Sequence, residues 1–439
     1  MDPKESPSKE RVMRLVAAAA LIATTITPGA LAAPALSDST LTVTPFLSAN
    51  DPTGIRFTGP GEGFLIEKGG AVKRFVGNAT TSTALNLPVA TDGFERGLLG
   101  IAIDPSFSSN GSVYLYHSAG TATGAWVDNR LTRYTWNGST LINPTPLGTF
   151  GAATDTIPGN GPNHNGGPLV FGRDGKLYGV TGDLNRNGIE QNQSATTSAL
   201  TGGVYRLNAD GSIPADNPFQ SNSNPDVRRW HAYGVRNSFG VTVDPHPTLG
   251  GGIWITENGP NAYDEINMVP AGMNSGWEQI MGPDARDPQN APGDLVMLQG
   301  ASYQDPKFSI QDPIGIAALG FLHGSALGAG YADALIYGEA NSPNLWLLRL
   351  NANRDGFVLS GDLADGVLDP GDAFTPFGTG FSVITDIQTG PDGAIYLTAL
   401  GADTVYRIAL IPEPHTWLLS LAGLAVVGWA ARRRRGQCS

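Results

Sequence analysis

Six times along the chain, a turn containing Asp or Gly leads into a short apolar, aromatic-rich run. The runs are Gly63-Phe-Leu-Ile-Glu, Ser112-Val-Tyr-Leu-Tyr, Lys176-Leu-Tyr-Gly-Val, Gly252-Ile-Trp-Ile-Thr, Ala334-Leu-Ile-Tyr-Gly and Ala394-Ile-Tyr-Leu-Thr. Each is too short and too rich in β-branched and aromatic residues for a helix, and each is bounded by turn formers, so each predicts a strand. The copies recur at an uneven interval of roughly 50 to 80 residues, which suits propeller blades of four strands with long insertions in the third and fourth. A β-sandwich also yields many strands but gives no reason for this unit to recur. The expected fold is therefore an all-β, six-bladed β-propeller, in which inner strand ends and connecting loops meet at the mouth of a central channel.

Composition agrees with a loop-rich β protein. The 439 residues include 58 Gly and 32 Pro, with only 15% charged. The formal charge is −12, and about −17 without the basic termini, so nucleic acid is excluded as a partner class. The single cysteine, Cys438, lies at the far end, so no disulfide framework can form within the domain.

The two ends read as processing segments. Lys9, Arg11 and Arg14 precede the apolar run Leu15 to Ile26, and Ala30-Leu-Ala32 supplies small residues for cleavage, so 1–32 is expected to be a secretory signal peptide. At the other end Pro412-Glu413-Pro414 precedes the apolar stretch Trp417 to Ala431 and four arginines. This stretch is short for a spanning helix and becomes adequate with its flanks. The expected domains are 1–32, a propeller over 33–410, and a sorting or anchor segment with a hydrophobic helix over 411–439.

The stretch His164 to Asp183, HNGGPLVFGRDGKLYGVTGD, carries the candidate chemistry. Leu169-Val-Phe171 and Lys176-Leu-Tyr-Gly-Val180 predict a hairpin about the turn Arg173-Asp-Gly175, with His164 and Asp183 at its two open ends. If the hairpin closes, the carboxylate can orient the imidazole, which is the usual device for removing a proton from a hydroxyl near neutral pH.

HNGG, a strand, FGxDGKLY and TGD together resemble the signature of the soluble quinoprotein glucose/sorbosone dehydrogenase family. Further segments match in the same order: Glu95-Arg-Gly-Leu-Leu-Gly-Ile-Ala-Ile-Asp-Pro, Leu207-Asn-Ala-Asp-Gly-Ser-Ile-Pro-Ala-Asp-Asn-Pro-Phe, Tyr233-Gly-Val-Arg-Asn, Thr256-Glu-Asn-Gly-Pro, Asp264-Glu-Ile-Asn and Gly390-Pro-Asp-Gly-Ala-Ile-Tyr. The resemblance implies a six-bladed propeller using pyrroloquinoline quinone (PQQ) and calcium to oxidise an aldose or other sugar alcohol. It implies His164 as the base taking the hydroxyl proton as hydride passes to the quinone, and Asp183 as its orienting partner, a turn-capping aspartate being the alternative. By the same resemblance Arg236 and Asn237 contact the cofactor, and the carbonyls of Gly259 and Pro260 bind calcium. Glu95 stands where relatives carry a polar residue near the cofactor, so its charge would aid or oppose an anionic ligand. The C-terminal segment resembles the PEP-CTERM sorting signal of Gram-negative bacteria, which implies an exosortase partner, transient membrane association, and delivery to the cell surface, matrix or periplasm.

The chain departs from the family in its last two blades. Sugar-oxidising members place a lysine after the fifth-blade strand and an arginine pair before the sixth-blade Asp, where this chain has Glu339-Ala-Asn-Ser-Pro and Phe381-Ser-Val-Ile-Thr-Asp386. Each missing charge-assisted contact costs roughly 1.5 to 3 kcal/mol, and Glu339 in their place opposes an anion further.

Other metal signals are weak. Asp183-Leu-Asn-Arg-Asn-Gly and Asn351-Ala-Asn-Arg-Asp-Gly echo calcium loops but read as polar turns, and Asp264 with Glu265 are a structural calcium candidate. His117, His231, His246 and His323 show no metal-ligand spacing. Ile213-Pro-Ala-Asp-Asn-Pro-Phe reads as scaffold, its Asp and Asn bonding the backbone. Two alternatives to the quinoprotein stay open: a propeller without cofactor that binds extracellular polysaccharide or a protein, and a lactonase-type calcium-dependent hydrolase.

Overall fold

A computed structural model describes residues 33–411, except 158, 160, 194–200, 288–289, 325 and 333. The expected signal peptide and all but the first residue of the expected sorting segment lie outside the described residues. Every described strand lies within Pro34–Ser439.

The protein is an all-β propeller. Its described strands form six sheets of four to six strands. The recurring apolar runs fall in Glu62–Glu67, Ser112–Gly120, Leu177–Thr181, Ile253–Glu257, Ala334–Glu339 and Ile395–Leu400, and each of these is the second strand of its sheet. The first strands are Pro52–Gly59, Leu98–Ile103, Leu169–Phe171, Val241–Val243, Ile316–Phe321 and Val383–Thr389, and they contact one another in cyclic order, the last against the first.

Apolar runs recur in the second strands because both of their faces are buried. Side chains alternate across a strand, so a strand between two neighbouring sheets must be apolar at consecutive positions. Val113 and Leu115 face one apolar layer while Tyr114 and Tyr116 face the next. Leu177 joins the layer of Tyr114, and Tyr178 and Val180 the layer beyond. The same division separates Ile336 from Leu335 and Tyr337. At the usual ~25 cal/mol per Å² of apolar surface, these inter-sheet layers supply the main stabilising term of a fold without disulfides.

Sheet-to-sheet contact near the channel requires glycine. A Cβ on Gly100 would lie 1.9 Å from the Gly167 carbonyl oxygen, and one on Gly320 would lie 2.8 Å from that of Ile387. The ring is joined by sequence-distant pairing: Leu41–Ser48 runs antiparallel to Thr404–Leu410, with Leu41 opposite Leu410. Asp386 ties the last first-strand to its neighbour, accepting from the Ile55 amide at 2.8 Å and from Arg56 Nη1 at 2.5 Å.

The scaffold loop behaves partly as expected. Asn217 Nδ2 donates to the carbonyls of Arg206 and Arg228, at 3.0 and 2.9 Å. Asp216 departs from expectation by binding the Arg206 guanidinium, at 2.8 and 3.0 Å, because that buried cation needs carboxylate partners.

Candidate active site

Leu169–Phe171 and Leu177–Thr181 pair antiparallel, with Leu169 opposite Gly179, and bring the ends of the hairpin together. His164 Nδ1 lies 2.6 Å from Asp183 Oδ1, and both residues are buried. Asp183 Oδ1 also accepts from the Asn185 amide at 3.0 Å, while Oδ2 accepts from Trp277 Nε1 at 2.7 Å. With a carboxylate as its partner Nδ1 carries the proton, which leaves the Nε2 lone pair as the basic position. The only side chain within hydrogen-bonding range of Nε2 among the described residues is Asn185, whose Nδ2 lies 3.4 Å away.

The backbone at His164 has φ +62°, followed by Gly166 and Gly167 at +64° and +120°. A histidine held in that left-handed region costs about 1–3 kcal/mol, which the surrounding bonds must over-determine. They do so from two sides. The His164 N–H donates to Glu95 Oε2, and its carbonyl accepts from the Leu184 amide at 3.3 Å.

Glu95 links this pair to the next group. Its Oε1 accepts from Asn237 Nδ2 at 3.4 Å, and burial pushes its carboxyl above the ordinary range. The Arg236 carbonyl accepts from the Asp183 amide at 2.8 Å, so the histidine hairpin and the Arg236-Asn237 segment are joined through backbone. The Arg236 guanidinium lies over the Trp277 ring, 5.2 Å from its centroid, and Nη1 donates to the carbonyls of Asn258 at 2.8 Å and Gly259 at 3.2 Å.

Beneath Arg236 lies a carboxylate pair that sequence reasoning missed. Glu257 and Glu265 are opposite one another on paired strands, and both are fully buried. Glu257 accepts from the Arg236 amide at 2.7 Å and from Ser275 Oγ at 2.7 Å. Asn267 Nδ2 donates to Glu265 at 2.8 Å and reaches Glu257 at 3.4 Å. Burial pushes Glu257 up to about 7 and Glu265 well above the carboxylate range. The available signal is Glu257 itself, the one charged residue of the otherwise uncharged strand Ile253–Glu257.

A cavity of about 300 Å³ opens beside Glu95. Thr53, Leu99, Ala317, Val383 and Thr385, from the first strands of several sheets, contribute to its wall, which places it at the centre of the ring. Asn237, Phe239, Asn258, Ala340, Asn341, Lys68 and Phe94 contribute more. His164, Arg236 and Pro260 do not line it.

Several sequence expectations are corrected here. Glu339 does not replace a cavity cation: it is on the same face of its strand as Leu335 and Tyr337, is buried, and accepts from Trp346 Nε1 at 3.3 Å. Asn341, two residues on, is the residue of that loop that lines the cavity. Asp264 is spent on backbone, accepting from Gly259, Ile314 and Gly315 amides at 3.0, 2.8 and 2.6 Å, because it organises that turn. Among the described residues, no group of three or more His, Cys, Asp or Glu is placed to hold a metal ion. Burial pushes His117 and His231 down to about 4, which marks them as neutral interior residues.

The sequence model of the family described as Glucose / Sorbosone dehydrogenase matches residues 49–407. The chain belongs to this family. A PEP-CTERM protein-sorting motif matches residues 410–435. The family member named aldose sugar dehydrogenase YliI, from Escherichia coli, is 26% identical over 363 residues, covering 79% of this chain and 86% of that protein. Quinoprotein glucose dehydrogenase B of Acinetobacter calcoaceticus is 32% identical over 210 residues, covering 43% of this chain and 41% of that protein. The PQQ-bound aldose sugar dehydrogenase of Streptomyces coelicolor shares the fold with a TM-score of 0.62 at 20% identity, over 86% of this chain and 100% of that one.

Proposed function

We propose that this glucose/sorbosone dehydrogenase family member is an exported sugar oxidoreductase in which His164 is the general base for a carbohydrate hydroxyl and Asp183 its positioning residue. The observation that carries this reading is the buried Trp277–Asp183–His164 chain, which fixes the tautomer and leaves Nε2 basic. A positioned base of this kind contributes about 10²–10⁴-fold. The names of the relatives support oxidation of an aldose as the reaction, and the six sheets support a reading as six blades. The sorting motif supports export in a Gram-negative envelope with exosortase processing, preceded by signal-peptide cleavage near residue 32 and followed by transient anchoring through the C-terminal segment.

The residues present do not fit PQQ as a tightly held group. It is a polycarboxylate, yet among the described residues Lys68 is the one cation that lines the cavity, and Glu95 brings a carboxyl. Asn341, Val383 and Thr385 line the region that the family resemblance would furnish with cations. Arg236 gives Nη1 to two carbonyls, one of them the Gly259 oxygen implied as a calcium ligand, while its buried Nε has no partner, and Pro260 is exposed. No step is therefore routed through the quinone or calcium.

That cavity favours a second reading, in which the chain binds extracellular carbohydrate without redox chemistry. Titration of the full-length protein with PQQ in calcium, followed by dye reduction over a panel of aldoses, separates the two. Aldose-dependent dye reduction that His164→Ala abolishes upholds the oxidoreductase. Carbohydrate binding without dye reduction under any of these conditions overturns it in favour of the binding protein.

A further inference from the structure

The second sheet of the ring has longer outer strands than the first. Ser112–Gly120, Trp126–Trp136 and Leu141–Ala152 run 9, 11 and 12 residues, whereas Ala71–Val76 and Ala79–Asn86 of the first sheet have 6 and 8. Between the two sheets lies a groove of about 500 Å³, to which Leu87 and Pro88, just beyond the first sheet's last strand, contribute one wall and the second sheet the rest. It shares no lining residue with the central cavity.

His117 lines this groove opposite Arg130 on the paired strand. The ring is only 4% exposed, and burial holds it down at about 4, so it is neutral near neutral pH. Its Nδ1 is fully buried without a hydrogen-bond partner; Nε2 also has none among the described residues, but unlike Nδ1 it keeps accessible surface. A buried lone pair is a smaller fault than a buried orphan N–H, so the proton sits on Nε2, at the groove. The buried Tyr134 and Thr132 line the groove too, and their hydroxyls likewise keep accessible surface without a partner among the described residues. Arg130 binds Asp128 through Nε at 2.5 Å and Nη2 at 3.1 Å, which leaves Nη1 open.

Donors with no acceptor call for a ligand that accepts, and an open guanidinium edge calls for an anion. Asp128 offsets much of the Arg130 charge, which disfavours a dianion and leaves a place for a monoanion. Pro88, Pro144 and Pro146 add an apolar wall that an inorganic ion does not use. We propose that this groove is a second ligand site, which binds a small organic carboxylate. The carboxylate oxygens accept from His117 Nε2, the Tyr134 hydroxyl and Arg130 Nη1, and the organic body lies along the prolines. The site is separate from His164, so the inference does not depend on sugar oxidation.

The test is nitrogen NMR of the His117 ring in the full-length protein near neutral pH, titrated with acetate, with its neutral isostere acetamide, and with sulfate. The expected result is a saturable shift of the His117 signals by acetate, with acetamide and sulfate each about tenfold weaker or worse. Arg130→Gln should weaken acetate by about tenfold, and Tyr134→Phe by severalfold. Arg130 is exposed, and Tyr134→Phe keeps the ring in its apolar layer, so both variants retain the fold and the His117 reporter. No saturable shift by acetate up to about 100 mM would overturn the proposal. So would acetamide or sulfate acting as strongly as acetate, or an acetate affinity indifferent to both substitutions.

Discussion

Trp277 Nε1 donates to Asp183 Oδ2 at 2.7 Å, on the far oxygen from the one that holds His164. The indole thereby locks the carboxylate plane, and the carboxylate in turn fixes the imidazole. Asp183→Asn should therefore cost about 10²–10⁴-fold in kcat for sugar oxidation, because an amide can donate to Nδ1 and move the proton to Nε2. Trp277→Phe should cost less, about tenfold, since the carboxylate keeps its other partners. Steady-state kinetics read the rates, and nitrogen NMR of the His164 ring shows the proton moved from Nδ1 to Nε2 even where turnover is undetectable.

Glu339 predicts a pH dependence of stability. Burial pushes its carboxyl from an ordinary 4.5 up to about 7, so the folded state holds a proton that the unfolded chain has released. Stability from this group is fully present below pH 4.5 and declines as the pH rises to about 7, by on the order of 1–3 kcal/mol. Urea denaturation at pH 5 and pH 8 should show a smaller difference for Glu339→Gln than for the unaltered protein.

Gly100 predicts a local steric requirement. Alanine there must displace the Gly167 carbonyl, which belongs to the loop that carries His164. Gly100→Ala should lower stability by about 1–3 kcal/mol, measured from the denaturant midpoint, and should also impair any activity that depends on His164.

Glu95→Gln predicts a separation of charge from hydrogen bonding. Its amide oxygen can still accept from the His164 N–H, but its NH₂ group faces Asn237 as a second donor. Fold stability at pH 8 should rise, because the buried carboxyl no longer ionises. Thermal melts at pH 5 and pH 8 check this outcome.

Legibility in the sequence follows burial. The second strands are readable because both of their faces are apolar, as in Val113 to Tyr116. The first strand Val241–Val243 has only three residues, two of them half-buried, so it carries little periodic signal. The hairpin between His164 and Asp183 is readable because its turn is local, whereas Trp277 arrives from 94 residues away. Glu339 misleads because spacing indicates a loop position and not a face: strand parity sends it into an inter-sheet layer and leaves Asn341 at the cavity.

The pairing of Leu41–Ser48 with Thr404–Leu410 also sets the order of events during folding. Thr44 and Arg407 are bonded across 363 positions of chain, so this early strand must wait for the last of the described strands. Ring closure is thus a late step that requires the whole domain, and a chain truncated before residue 404 should stay open, protease-sensitive and prone to pair its bare strand edge with another copy.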